Sequence, residues 1–234
     1  AGIMGKAMGR NLMKHGFELH LARHPQKVQD IVAEGAILHD SNASCVRACD
    51  VVITMVGFPD DVREVYMDEG GIFAHAREGQ LLIDMTTSSP KLAQELAQLG
   101  REKDLRVLDA PVTGGDAGAR EGTLTILIGG REEDAKAAWP LFEAMGRHIH
   151  HCGEAGCGQH MKLANQIMIA GALSGVSEAA AYIQKQGMDP QEMIDDLKAG
   201  AAGSRQLELL GPKMVRHDFA PGFFVKHFIK DMRL

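Results

Sequence analysis

The 234-residue sequence is poor in the features that mark several large classes of protein. Four cysteines are too few for a disulfide-dense scaffold, and a chain of this length can bury its own core, so we expect reduced thiols. Basic residues are not in excess, because 25 Lys and Arg stand against 31 Asp and Glu, a formal net charge of -6. That balance argues against nucleic acid or an anionic membrane surface as a partner.

Long hydrophobic runs are also missing. Unbroken apolar stretches such as Val51-Val52-Ile53 fall far below the roughly 20 residues that a transmembrane helix needs. No charged-then-apolar signal opens the chain. Together with an ordinary content of 45% hydrophobic and 24% charged residues, these absences predict a globular cytoplasmic protein that does not span a membrane.

Both ends of the sequence look cut. Ala1 leads directly into a glycine loop with no strand before it, and Arg233-Leu234 stop within a helical pattern. We expect a first strand and C-terminal helices to lie outside the sequence.

The pattern of the first two thirds predicts an α/β fold, with a Rossmann-type parallel sheet wrapped by helices. Short β-rich runs alternate with helical stretches, and the predicted strands are Phe17 to Leu21, Val51 to Val56, Leu81 to Asp84, Arg106 to Leu108, Leu124 to Ile128 and His148 to His151. From about Gln159 to Gln186 one long helix is predicted, roughly 40 Å at ~1.5 Å per residue, and shorter helices should open at Pro190 and near Ser204. The sequence therefore predicts a dinucleotide-binding domain over 1–152 and an all-helical domain built on the long helix over 153–234.

A glycine loop opens the chain. Gly2 and Gly5 supply the second and third glycines of a G-x-G-x-x-G fingerprint, and a helix from Lys6 to His15 follows. Glycine lets the backbone approach a pyrophosphate, and the helix N-terminus offers unpaired N–H groups to the anion. In isolation the two glycines are equally well explained by close packing at a helix start.

Arg23 stands after the predicted strand that ends at Leu21, where many dinucleotide folds carry an acid for the adenosine ribose. The guanidinium fork of arginine suits a 2′-phosphate, so Arg23 favours NADP over NAD as the cofactor and leaves NAD open. A solvated surface arginine is the alternative interpretation.

Four motifs occur in one order along the chain: Gly2-Ile3-Met4-Gly5, Asp109-Ala110-Pro111-Val112-Thr113-Gly114-Gly115 with Gly122-Thr123-Leu124, Gly158-Gln159-His160-Met161-Lys162-Leu163-Ala164-Asn165, and Lys230-Asp231. Taken together they resemble the β-hydroxyacid dehydrogenase family, which includes 3-hydroxyisobutyrate dehydrogenase, tartronate semialdehyde reductase and the glyoxylate/succinic semialdehyde reductases. The resemblance covers nearly the whole chain. It implies hydride transfer between a nicotinamide cofactor and a small 3-hydroxy acid or aldehyde acid.

The resemblance implies that Lys162 is the catalytic acid/base. We expect this lysine in the first turn of the long helix, where the helix dipole and partial burial would lower its pKa. The implied substrate contacts are Thr113, Gly114, Gly115, Asn165, Phe223 and Asp231. The implied cofactor contacts are Gly2, Ile3, Met4, Gly5, Met55, Val56, Thr87 and Lys230. Two positions depart from the family pattern, since Thr113 stands for its serine and Gln166 for its second asparagine. A homo-oligomer packed through the long helix is also implied.

The same residues allow three rival interpretations. His148, His150, His151, Cys152, Cys157 and His160 crowd one stretch and are good zinc ligands, but alternate strand residues point to opposite faces, so we expect no metal. A non-catalytic dinucleotide-binding or scaffold protein would share the fold, because fold does not determine function. An imine reductase is a closer rival, but the resemblance implies that such enzymes replace the lysine that this chain keeps at Lys162.

Overall fold

The fold is described from a computed structural model, which describes residues 2–22, 25–220 and 222–234. These residues form eight strands, namely β1 His20–Leu21, β2 Ile37–Leu38, β3 Val51–Thr54, β4 Leu81–Asp84, β5 Arg106–Asp109, β6 Val112–Thr113, β7 Leu124–Gly129 and β8 Gly146–Gly153. The helices are α1 Ile3–Lys14, α2 Pro25–Ala33, α3 Asn42–Ala48, α4 Pro59–Met67, α5 Pro90–Arg101, α6 Gly115–Glu121, α7 Glu132–Met145, α8 Cys157–Lys185, α9 Pro190–Leu197, α10 Arg205–Val215 and α11 Val225–Met232, with a 3-10 turn at Ile72–Ala74.

The main sheet has the order β3-β4-β5-β7-β6, and β8 pairs with β7. The pairs β3–β4, β4–β5 and β7–β8 are parallel, whereas β5 and β6 each meet β7 antiparallel. β1 and β2 form a separate parallel pair. Consecutive parallel strands joined by helices are the predicted Rossmann-type arrangement, and the antiparallel β7 is a feature that the sequence pattern did not indicate.

Helices cover both faces of this sheet. On one face, Ile83, Leu108 and Ile126 pack with residues of α1 and α7 such as Met8 and Phe142. On the other, a second cluster joins β4 and β5 to α4 and α5. Because both faces are covered, the central strand β4 is buried at every position, which explains its continuous apolar run before Asp84.

Five of the six predicted strands differ from the observed ones by a few residues at their ends, and Leu81–Asp84 is as predicted. The largest difference is at Phe17 to Leu21, of which only His20–Leu21 pairs as a strand. The two-residue strands β2 and β6 were missed. Strands this short carry too few residues to show a period of two, so their pairing depends on the neighbouring strand rather than on their own sequence.

Contacts between residues divide the chain into two units. Unit 1 comprises Ala1–Leu163 with Val225–Leu234, and unit 2 comprises Ala164–Phe224. The domain boundary between residues 152 and 153 stays a prediction. By its contacts, the start of α8 up to Leu163 belongs to unit 1, which contains the sheet. α11 also returns to unit 1, where the ring of His227 lies 5.4 Å from that of Phe58.

Unit 2 is helical, as predicted. Its core is formed by Val176 of α8, Met193 and Ile194 of α9, and Leu207 of α10. The predicted cap at Ser204 is confirmed, because its hydroxyl accepts a hydrogen bond from the Leu207 amide. By length and composition alone, α8 is long and apolar enough to cross a membrane. Core helices of soluble proteins meet the same two criteria.

Candidate active site

The carboxyl ends of β3 and β4 meet at one edge of the sheet, where ligands of open α/β sheets bind. Met55 and Val56 follow β3, and Thr86 and Thr87 follow β4. The amide of Val56 donates to the Thr86 hydroxyl at 3.0 Å. The two predicted cofactor segments are therefore held side by side, with Met55 packed against the core cluster below α1.

Asp84, the buried last residue of β4, holds this edge of the sheet together through hydrogen bonds. Its carboxylate accepts hydrogen bonds from the Thr54 hydroxyl at 2.8 Å and the Thr86 amide at 3.2 Å. Burial raises the pKa of Asp84 to about 6, opposed by the hydrogen bonds from Thr86 and Thr54 and reinforced by the nearby charge of Asp109. The carboxyl thus costs the folded protein free energy whenever it is ionised.

Replacing Asp84 with asparagine is expected to remove a pH-dependent term from stability. The pKa is raised in the folded state, so protonation stabilises the fold, and this contribution is lost as pH rises from about 4 to about 6. The free energy of unfolding of Asp84→Asn, relative to that of the unsubstituted protein, should rise by about 2 kcal/mol between pH 4 and pH 7 in urea denaturation. The same substitution at exposed Asp40 is the control, and an equal trend there would contradict the assignment.

The start of α1 fits a bound anion. Gly2 caps this 12-residue helix with an extended backbone, and no side chain of the described residues caps the helix. A Cβ built on Gly2 would meet no described atom within 4 Å, so packing against the described residues does not explain the glycine, whereas close approach of a ligand would. Ile3 beside it is 64% exposed. Met4 packs on the core, and Gly5 lies within α1. Arg23 lies outside the described residues.

The predicted substrate loop follows β6. Thr113 ends that strand, and Gly114 and Gly115 adopt φ values of 126° and 63°. Both glycines are in the left-handed region that side chains disfavour, and both are exposed. The loop therefore presents its backbone in a conformation that a bulkier residue would not readily adopt.

Lys162 is buried in unit 1, with 6% of its surface exposed. Burial is the main cause that lowers its pKa to about 8; Asp231 opposes the shift and Lys230 adds to it. The prediction that Lys162 lies in the first turn of the long helix was wrong. Because α8 begins at Cys157, Lys162 lies in its second turn. The helix dipole acts chiefly on the first turn, so burial rather than the dipole accounts for the lowered pKa.

Lys230 and Asp231 come from α11, far along the chain, and both are nearly buried. Their side chains form an ion pair at 3.0 Å. The Lys230 ammonium also donates to the carbonyl oxygen of Thr87. Unit 1 thus brings together four of the predicted residues, with Lys162 coupled electrostatically to the pair and Thr87 bonded to it.

Two buried residues that sequence reasoning left without a role hold the start of α8. The Asp109 carboxylate, at the end of β5, accepts from the amides of Gly156 at 2.7 Å and Gln159 at 2.9 Å. The Gln159 amide side chain donates to the Thr86 carbonyl and accepts from the Ser88 amide. Asp109 is an acid at the end of a buried strand and belongs to one of the four motifs. This placement was the signal that could have revealed the network.

Two predicted substrate contacts, Asn165 and Phe223, belong to unit 2. Asn165 lies one turn beyond Lys162 along α8, and its amide donates to Gln166 at 2.8 Å. Gln166, the residue that departs from the family pattern, is buried, and Phe223 is 57% exposed.

The histidine and cysteine cluster takes up ordinary structural contacts. His151 bonds to the carbonyl of Gly130, and the Cys152 thiol donates to the carbonyl of His150. Within the part of the chain that the structure describes, no three His, Cys, Asp or Glu side chains are placed to share a metal ion.

Two family models match the chain in succession. The model described as the NAD binding domain of 6-phosphogluconate dehydrogenase matches residues 1–153. The model described as NAD-binding of NADP-dependent 3-hydroxyisobutyrate dehydrogenase matches residues 156–234.

Several known proteins are similar over the whole chain, which spans about four fifths of their own length. An uncharacterised oxidoreductase of Bacillus subtilis, YkwC, is 48% identical over 99% of this chain and 81% of its own. The 2-hydroxy-3-oxopropionate reductase of Escherichia coli K12 is 37% identical over 100% of this chain and 80% of its own. The solved structure of Mycobacterium tuberculosis 3-hydroxyisobutyrate dehydrogenase with L-serine matches with a TM-score of 0.89 and 32% identity, covering 99% of this chain and 81% of that one.

The comparisons agree with the order of motifs and with the fold. Both parts of the chain match models drawn from nicotinamide-dependent dehydrogenases, and the relatives are similar over the whole of this chain rather than over one domain. The family predicted from the four motifs is confirmed: the chain belongs to the β-hydroxyacid dehydrogenase family of NAD(P)-dependent oxidoreductases.

Proposed function

We propose that this protein transfers a hydride between a nicotinamide cofactor and a small 3-hydroxy acid or aldehyde acid, with Lys162 as the general acid/base. The observation that carries the proposal is the burial of Lys162, which lowers its pKa to about 8. A group with a pKa near the working pH both holds and releases a proton readily. A lysine that served only solubility would stay in water, which argues against a non-catalytic scaffold.

The residues around Lys162 have distinct proposed tasks. The cofactor, when bound, supplies or accepts the hydride. Lys162 donates a proton to the substrate carbonyl oxygen in reduction and takes it back from the hydroxyl in oxidation. Asp231 stabilises the protonated ammonium, and Lys230 favours the neutral amine, so this pair adjusts the proton affinity of Lys162. Lys230 is itself held by the Thr87 carbonyl.

Cofactor and substrate contacts are proposed at the exposed backbone turns. The N-terminus of α1 with Gly2, Ile3, Met4 and Gly5 would hold the pyrophosphate, and the segment ends at Met55, Val56 and Thr87 would lie along the nicotinamide side. Thr113, Gly114 and Gly115 would bind the substrate carboxylate through a hydroxyl and backbone N–H groups. Asn165 and Phe223 of unit 2 are proposed to complete the substrate contacts.

The function is tested by assaying the purified chain with a panel of short aldehyde acids, with NADPH and NADH side by side. We expect turnover of at least one member among glyoxylate, tartronate semialdehyde, succinic semialdehyde and methylmalonate semialdehyde. Aldehydes of equal length without the carboxylate are the control. Binding of NADPH without turnover of any aldehyde acid would overturn the proposal in favour of a non-catalytic dinucleotide-binding protein.

NADP is the proposed cofactor, because an arginine at position 23 suits a 2′-phosphate better than a ribose hydroxyl. Arg23→Ala is expected to raise the KM for NADPH by roughly 10- to 100-fold, since a hydrogen bond to a charged group contributes about 1.5 to 3 kcal/mol. The KM for NADH serves as the internal control and should change by less than about 3-fold. Equal losses with both cofactors would identify NAD-type recognition or a structural role for Arg23.

The setting is proposed to be cytoplasmic, with two or more copies assembled through the long helix. Exposed apolar side chains on α8, namely Ile167, Met168 and Tyr182, support a covered helix in the assembly. Size-exclusion chromatography with light scattering measures the number of copies.

A further inference from the structure

A pair of thiols lies at the end of α3, apart from the residues assigned to hydride transfer. Cys45 is within the helix and Cys49 caps it, so the two side chains are four residues apart and share a helix face. Both are partly buried. The two thiols are close enough for each to change the pKa of the other.

Side chains from a neighbouring loop hold the backbone at Cys49. Its carbonyl oxygen accepts from Arg77 Nη2 at 2.6 Å and from Gln80 Nε2 at 2.7 Å, and Gln80 also reaches the carbonyl of Val46 at 2.8 Å. These bonds keep the guanidinium of Arg77 beside the backbone of Cys49.

The surroundings favour the thiolate of Cys49. The hydrogen bond from Cys45 is the largest cause that lowers the pKa of Cys49 to about 7, and His20 and Arg77 add to it against burial and the charge of Asp50. The pKa of Cys45 is raised by the same hydrogen bond and by burial, so this residue keeps its proton. One thiol is therefore prepared to attack, and its neighbour remains protonated until needed.

The other two cysteines of the chain offer a contrast. Burial raises the pKa of Cys152, and its thiol donates to a backbone carbonyl. Cys152 thus differs from Cys49 in the direction of its pKa shift, and the pair Cys152 and Cys157 is the comparison for Cys45 and Cys49.

We propose that Cys45 and Cys49 are a reversible two-electron redox site that closes to an intramolecular disulfide on reaction with a small-molecule disulfide. The Cys49 thiolate attacks one sulfur of the oxidant, forming a mixed disulfide and releasing one thiolate. Cys45 then loses its proton and attacks the Cys49 sulfur, which releases the second thiol. Two protein thiols are oxidised, and one disulfide is reduced to two thiols.

The helix end makes this closure feasible. Residues four apart in a helix have Cβ atoms about 5 to 6 Å apart, whereas a disulfide needs about 3.5 to 4.5 Å. Cys49 already has an extended backbone, with φ -95° and ψ 151°, so only the last turn has to tighten. A bridge closed in this way is under strain and easily reduced, which suits a reversible site rather than a structural one.

The test uses the full chain in buffers with a graded ratio of oxidised to reduced glutathione, followed by alkylation of the remaining thiols and tryptic digestion. Trypsin cleaves after Arg47, between the two cysteines, so an oxidised pair leaves peptides Val28–Arg47 and Ala48–Arg63 joined until a reductant is added. We expect this joined pair to form before any link between Cys152 and Cys157. Glutathione adducts without a joined pair, or equal linking at both pairs, would overturn the proposal.

Three variants sharpen the result. The double variant Cys152→Ser, Cys157→Ser should retain the joined peptides in full, whereas Cys49→Ser should lose them. Iodoacetamide at pH 7 should alkylate Cys49 at least about 5-fold faster than Cys152, and Cys45→Ser should slow Cys49 because the thiolate loses its donor. The alkylation comparison is made on the unsubstituted protein, so it remains decisive if a variant fails to fold, and equal rates would count against the site.

Discussion

Replacing Lys162 with alanine is expected to lower kcat about 1000-fold, because general acid/base catalysis contributes roughly 100- to 10,000-fold. Cofactor affinity should change by less than about 3-fold, since the proposed pyrophosphate and ribose contacts lie elsewhere, at the start of α1 and after β3. The measurement is steady-state turnover on the best aldehyde acid, together with fluorescence titration of NADPH.

Lys162→Met is the companion variant, because it keeps the length of the buried side chain and removes only the ammonium. Lys185→Ala is the control at the other, exposed end of the same helix and should retain full activity. A Lys162→Met protein that is folded and keeps most of its rate would remove the assigned role.

The pH dependence of the unsubstituted protein provides a second readout of the same residue. Reduction needs the protonated ammonium, so kcat for the aldehyde acid should fall as pH rises through about 8. Oxidation needs the neutral amine, so the reverse rate should rise through the same range. A residue with a merely structural role would not produce opposite trends in the two directions.

Gly158→Ala is expected to cost about 3 kcal/mol of unfolding free energy, the upper part of the range for overpacking. A Cβ at this position would lie closer than 3.0 Å to the carbonyl oxygen of Leu127, the carboxylate of Asp109 and the amide of Gly129. Two of these atoms are backbone of β7, so the helix start would have to move away from the sheet. Chemical denaturation measures the loss.

Gly171→Ala is the matched control in the same helix, because a Cβ there meets no described atom within 4 Å. Exchanging glycine for alanine in an open helical position should leave stability unchanged or raise it by up to about 1 kcal/mol. Equal effects of the two substitutions would show that α8 does not depend on close approach to the sheet at Gly158.

The sequence was sufficient to predict an element wherever that element depends on a local pattern. The buried run Leu81–Asp84 was predicted with correct ends because every residue of β4 is enclosed, and the cap at Ser204 because its hydroxyl contacts an amide three residues on. The four motifs identified the family because their residues and order are specific. The prediction failed for β2 and β6, whose pairing depends on neighbouring strands, and for the start of α8, which Asp109 holds two residues before the expected one.

The sequence by itself determined the α/β pattern, the helical second part and the family, since these depend on periodicity and on short motifs. Only the tertiary structure decided how acidic Lys162 is, because α11 must return from the far end of the chain to place Lys230 and Asp231 beside it and exclude water. The same holds for the network of Asp109 and Gln159, which joins a strand end to a helix start about 50 residues later. Burial and charge act through space, so their effect on a proton cannot be deduced from neighbours in sequence.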